Sequence, residues 1–281
     1  MKSEPRLPDE LVNQGGQRPI QDLIVLMSAA FAVLVALVIA VGLLTDVVVR
    51  LVPRERESTL LRPVVSAFLD DFGEGEAAHE AHQALQALFD KVRAVVEPMP
   101  YEFQLKLACT PMVNAMALPG GGIVVTSGLL KLLRNEDELS FVLAHELGHF
   151  VGRDHLQGLG RGLTLGIALG IGIPGVNQAL ESFSEALLAG HSRSQESEAD
   201  ELSVAALIAL YGHAQGAQSA LLLLEKASGE QAIDQLDFHR SHPVGVERRQ
   251  RITQLLEARC WQARGEMTRL SAALMHPCQV D

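Results

Sequence analysis

Between Asp22 and Asp46 lies a run from Leu23 to Leu44 that carries no charge and has Ser28 as its one plainly polar side chain. A run of this kind severely limits the conformations open to it. In lipid, every backbone N–H and C=O must find a partner within the protein, and a lone segment achieves that only as a helix. At 1.5 Å rise per residue it would reach about 33 Å, enough to cross a hydrocarbon core of about 30 Å. A cleaved signal peptide is the competing reading. It would have a shorter apolar stretch, a more compact charged start and a small-residue cleavage site, and Thr45 to Arg50 offers no such site. The expectation is therefore a retained single-pass anchor over 23–44. A polar tail (1–22, with Pro5, Pro8, Gly15, Gly16 and Pro19) precedes it, a charged connector (45–65) follows, and one domain fills 66–281.

Within that domain, residues 145–149 read His-Glu-Leu-Gly-His inside an unbroken helical pattern. On a helix His145 and His149 stand one turn apart on one face, so both imidazoles can hold one tetrahedral metal ion. Glu146 is then placed to act as general base on a metal-activated water. Glu136, Asp137 and Glu138 suit a first helical turn, where carboxylates complement the dipole. Leu139, Phe141, Val142, Leu143, Leu147 and Phe150 supply the dry support that a metal site needs.

A catalytic zinc takes three protein ligands and keeps one position open. The segment Ser194-Gln195-Glu196-Ser197-Glu198-Ala199-Asp200-Glu201 leads into an apolar helix, with Glu196 and Asp200 on one face. One of the two carboxylates can take the metal while the other accepts the free N–H of a ligand histidine.

Together, His145-Glu146-x-x-His149 and Glu196-x-x-Ala199-Asp200 resemble the zinc metalloendopeptidases related to HtpX and the CAAX prenyl protease, in particular their single-span quality-control branch. Asn114-Ala115-Met116-Ala117-Leu118-Pro119-Gly120-Gly121 resembles the segment before that family's active-site strand. Ser192-Arg193 and the pair His242-Pro243 followed by Arg251-Ile252 match further elements, so the resemblance covers about 100–255. It implies an α+β, mainly helical fold of the zincin (gluzincin) type with a small antiparallel sheet, preceded by one transmembrane helix. It further implies one Zn2+ per chain on His145, His149 and Glu196, with Glu146 catalytic and Asp200 behind a ligand. Gly122, Ile123, Val124 and Val125 would form the edge strand on which an extended substrate is read by main-chain hydrogen bonds. Gly120 to Gly122 would let that second chain come close. His242 is either a zinc cap or oxyanion contact, as in relatives, or a surface loop residue. Arg193, Arg248 and Arg249 are candidates for pairing with the acidic helix or for polarising a carbonyl.

The function expected is membrane-anchored hydrolysis of peptide bonds in unfolded or misfolded proteins. The alternative is a non-enzymatic, chaperone-like or binding protein with a structural or occluded zinc site. A net charge of −11 argues against nucleic acid as a partner. Basic residues flank the span almost equally, so the positive-inside rule has little to act on. The reading taken is a bacterial inner membrane with a periplasmic catalytic domain. Cys109, Cys260 and Cys278 cannot all pair internally and lack zinc-ligand spacing.

Periodicity predicts a packing helix over 76–96, a strand over 101–109 and helices over 202–211, 217–226 and 246–274, with Gly212 and Gly229 as stops. The apolar, glycine-rich run 158–175 is too short to span. It reads as a lid, an interfacial segment or a buried helix.

Overall fold

The computed structural model describes residues 19–51, 53–71, 78–157, 190–230 and 237–278. The run predicted as a lid and most of the polar tail lie outside the described residues. Helix α1 (Pro19–Leu51) contains the expected span. Among the described residues, Ile20–Leu37 alone is long and apolar enough to cross a membrane, with none of it buried inside the protein.

After α2 (Arg54–Asp71) and α3 (His79–Arg93) come β1 (Gln104–Ala108), β2 (Ala115–Leu118) and β3 (Gly122–Thr126), then α4 (Ser127–Leu132) and α5 (Glu136–Gly152). Following the undescribed segment are α6 (Arg193–Tyr211), α7 (Gln215–Glu230), α8 (Asp237–Ser241), α9 (Val246–Ala258) and α10 (Ala272–Met275). The fold is thus mainly helical around a small sheet, as expected.

Two readings of the sheet need correction. Its order is β1-β3-β2, with β1 parallel and β2 antiparallel to β3, so it is mixed rather than antiparallel. Consequently Gly122, Ile123, Val124 and Val125 form the central strand, hydrogen-bonded on both sides, and the edge beside α5 is β2. The chain runs up, down and up, so placing β3 in the middle makes β1 parallel to it. A continuous β-branched run is what a strand buried on both faces requires. Ile123 and Val125 enter the main core with Leu107, Ala115 and Ala117. Val124 turns the other way, to Met116, Leu118, Val65 and Leu69.

The second chain that comes close to the glycine turn is α2. A Cβ on Gly120 (φ +84°) would lie 3.1 Å from Leu61 Cβ, and one on Gly122 would lie 2.6 Å from Val65 Cγ1. The part of the predicted connector from Arg54 onward is therefore in a helix packed on the sheet, while its first residues continue α1.

Gly212 ends α6 in the left-handed region, as expected. Helix α7, however, runs past Gly229 to Glu230. Helix α9 stops at Ala258, short of the predicted Leu274. Cys260 adopts φ +52°, and the Trp261 N–H bonds back to Leu256 O at 2.9 Å. The apolar positions that extended the pattern, Leu270 and Leu274, are buried on a returning chain that is irregular up to α10. That chain reaches the start of α5, where Glu136 N–H donates to Thr268 O and Thr268 N–H to Asp137 Oδ2, both at 2.9 Å. A Cys109–Cys278 disulfide ties it down, and Cys260 is free and exposed.

Candidate metal centre

Helix α5 starts where the acidic run predicted it. The Glu138 carboxylate accepts the Asn135 N–H at 3.2 Å, closing the first turn. Its apolar residues are buried as expected, and so are His145, Glu146 and His149. Helix α6 starts with a capping box: Ser192 Oγ accepts the Gln195 N–H at 3.3 Å, and Gln195 Oε1 accepts the Ser192 N–H at 2.8 Å. This places Glu196 in the first turn, facing α5. The two helices cross with almost no space between them, since a Cβ on Gly148 would lie 2.7 Å from Ala199 Cα. Glycine in one motif and alanine in the other therefore let the histidines meet the carboxylate.

His145 Nε2 and His149 Nε2 are 3.1 Å apart. Glu196 oxygens lie 3.5 Å from the first and 3.6 Å from the second. His242, on the turn after α8, brings Nδ1 to 3.3 Å from His145 Nε2 and 2.9 Å from Glu196 Oε1. These four side chains form one group able to hold a metal ion, and all are buried. His242 is thus part of the site rather than a surface residue. Glu146 sits beside them with both carboxyl oxygens buried and unbonded among the described residues, His242 Nε2 being 3.6 Å away.

The donor chemistry fits a cation. His145 Nδ1 faces Asp200 Oδ1 at 3.2 Å, and His149 Nδ1 faces Asp154 Oδ2 at 2.8 Å. With an ion bound, each carboxylate would hold the ring proton on Nδ1 and leave the two Nε2 atoms and the third carboxylate free to ligate. Arg248 Nη2, 3.2 Å from His145 Nε2, is the positive charge already beside them. Ligands at about 2.0–2.1 Å from a tetrahedral ion stand about 3.3 Å apart, close to the separations found here.

Titration directions agree. Burial and the Arg248 charge would lower His145, but Glu196 and Asp200 lift it to about 9. Burial, then the charges of His145 and His242, drive His149 well below its usual value. Burial would raise Glu196, but His242 and His145 hold it far below the carboxylate range. Burial pushes Glu146 up, and the nearby His242 and His145 only partly offset it.

Sequence reading missed two supports. Asp154 follows Arg153, a left-handed residue (φ +58°) that ends α5 and turns Asp154 back under His149. Gln195 Nε2 fixes its other oxygen at 2.8 Å. The signal was an acid soon after the second histidine, but its use depends on that turn. Of the three candidate arginines, Arg248 is the one in the site. It clamps Asp200 through Nε and Nη2, both at 2.7 Å, and reaches Glu196 Oε2 at 2.6 Å. Arg249 pairs with Glu225, and Arg193 is exposed near Glu247. Of the arginines after His242-Pro243, Arg248 is the one buried against Glu196 and Asp200.

Residues 77–256 match the family described as Peptidase family M48. The chain belongs to that family. Among curated relatives, it is 32% identical over 146 residues to the mitochondrial metalloendopeptidase OMA1 of Arabidopsis thaliana, covering 51% of this chain and 30% of the relative. It is 31% identical over 156 residues to the metalloprotease YcaL of Escherichia coli (52% and 59%). It is 26% identical over 182 residues to the OMA1 of Schizosaccharomyces pombe (63% and 54%). The chain thus spans between 30% and 59% of the length of these relatives.

Proposed function

We propose that this chain is a membrane-anchored zinc endopeptidase of family M48, with α1 as anchor and the catalytic unit beginning at α2. The observation that carries the reading is the convergence of His145 Nε2, His149 Nε2 and a Glu196 oxygen beside the buried Glu146 carboxyl. His145, His149 and Glu196 would hold zinc, which when bound supplies Lewis acidity and a water acidic enough to ionise near neutral pH. Glu146, raised by burial, takes a proton from the attacking water and returns it to the departing amine. Asp200 and Asp154 keep the ligand rings in one tautomer and orientation. His242, between Glu146 and Glu196, offers an N–H to the carbonyl oxygen as charge develops there. Among the described residues no strand pairs with the outer side of β2, beside α5, and an extended substrate would pair there by its main chain, so recognition depends little on side chains.

Unfolded or misfolded polypeptides are the proposed substrates, because only an extended chain can lie along a sheet edge. The Cys109–Cys278 disulfide suits an oxidising compartment, which favours a periplasmic domain on a bacterial inner membrane. A non-enzymatic reading, with His242 closing a four-donor structural site, is not favoured. It leaves Glu146 buried without a task, and the relatives are named as metalloendopeptidases. The test uses the purified full chain in detergent, a permanently unfolded polypeptide, and a chelator. Cleavage is expected in wild type, lost with chelator, and lost in Glu146→Gln while zinc stays bound. Cleavage by Glu146→Gln at the wild-type rate would reject the general-base role.

A further inference from the structure

The mechanism above makes no use of a second buried cluster, centred on Glu57 in the first turn of α2. Glu57 is only 1% exposed. Its carboxylate accepts from Tyr101 Oη at 2.8 Å, the Gly120 N–H at 3.2 Å and Arg153 Nη2 at 3.0 Å, and pairs with His155 Nε2 at 2.6 Å. On the same turn, Arg54 Nη2 donates to Val151 O at 3.0 Å, so the end of α5 is gripped from both sides. Burial would raise Glu57, but the His155 and Tyr101 hydrogen bonds and the His155 charge hold it at about 2. It is therefore a carboxylate throughout the neutral range, with every contact charge-assisted.

Two of the four partners, Arg153 and His155, flank Asp154. Arg153 occupies the left-handed region, which a side chain bearing a Cβ enters reluctantly unless surrounding contacts hold it there. That residue turns the backbone so that Asp154 meets His149 Nδ1.

We infer that Glu57 is a positioning residue for the metal centre: from the helix that follows the membrane anchor, it fixes the Arg153–His155 turn and so holds Asp154 against His149. The inference rests on the reading of His149 as a metal ligand. It makes α2 part of the metal site's support, although α2 contributes no ligand. The anchor's exit from the membrane and the ligand geometry are thereby joined through one carboxylate.

The test is zinc affinity of the full chain in detergent, measured by competition with a chromogenic chelator, together with the visible spectrum of the Co2+-substituted protein. Glu57→Gln is expected to weaken zinc binding about tenfold, the lower end of the loss seen when a ligand's hydrogen-bond partner is removed, and to shift the cobalt bands. Tyr101→Phe deletes another contact of the same carboxylate, away from Asp154, and is expected to leave affinity within about twofold. In an Asp154→Asn background, Glu57→Gln should cost little more, because the path it acts through is already broken. Unchanged affinity in Glu57→Gln, or an equal loss in Tyr101→Phe, would overturn the inference. If Glu57→Gln does not fold, Arg153→Met carries the same expectation and the same refutation. His149→Ala separates the two levels: wild-type zinc binding there would reject the ligand assignment itself, whatever Glu57 does.

Discussion

Replacing Gly148 by alanine puts a single methyl group where α5 and α6 cross. At an exposed mid-helix site this change would stabilise by about 1 kcal/mol. Here the new Cβ would sit 2.7 Å from Ala199 Cα and 3.0 Å from Ala199 Cβ. Carbon atoms rest at about 3.5–4.0 Å, so the helices must part by about 1 Å. Helix α5 carries His145 and His149, and α6 carries Glu196, now 3.5 and 3.6 Å from the two Nε2 atoms. Metal–ligand bonds tolerate about 0.2 Å, so the parting exceeds what the site can absorb. Gly148→Ala should weaken zinc binding by at least about tenfold, or about 1.4 kcal/mol. It should destabilise the metal-free protein by about 1–3 kcal/mol, the usual cost of overpacking. Chelator competition gives the first quantity and denaturant unfolding of metal-free protein the second. Adding Ala199→Gly removes the clash between the two methyl groups but leaves the α6 backbone just as close, so recovery should be partial. Wild-type zinc affinity in Gly148→Ala would show that this crossing does not set the ligand spacing.

Other outcomes follow from individual side chains. Asp154→Asn should lower zinc affinity about 10–100-fold, measured by the same competition, because His149 loses the acceptor that fixes its Nδ1 proton. Glu57 is held at about 2, below its usual 4.5, so its contribution to stability is full above pH 4.5 and is lost as pH falls toward 2. That contribution is at most about 3 kcal/mol, and Glu57→Gln should flatten stability against pH across this window in acid titrations followed by circular dichroism. Cys109→Ser should cost about 2–4 kcal/mol in denaturant unfolding, because the Cys109–Cys278 bond closes a loop spanning a sequence separation of 169.

The parts legible in the sequence were those written in local periodicity. The α5 pattern set the one-turn spacing of His145 and His149, and the acidic start of α6 placed Glu196 and Asp200 on one face. What escaped depended on tertiary packing. Asp154 reaches His149 only through a left-handed Arg153, a conformation that residue type does not announce. Glu57 lay in a charged stretch that reads as solvated until α2 is seen packed on the Gly120–Gly122 turn. Gly120 to Gly122 signalled a close approach correctly, but the approaching chain was the protein's own. The β-branched residues of β3 marked a strand without revealing its neighbours, and their lack of polar alternation was the sign that both faces are covered. Three arginines near the acidic helix could not be ranked by spacing, and only Arg248 turned inward.

The most direct test of the whole account is the metal content of the purified full chain and of its Glu196→Ala variant, by elemental analysis after dialysis. About one zinc per wild-type chain is expected, and little in a variant that keeps its helical circular dichroism, since three ligands are needed to hold the ion. Zinc retained at the wild-type level by Glu196→Ala would contradict the proposed site and, with it, the hydrolytic reading.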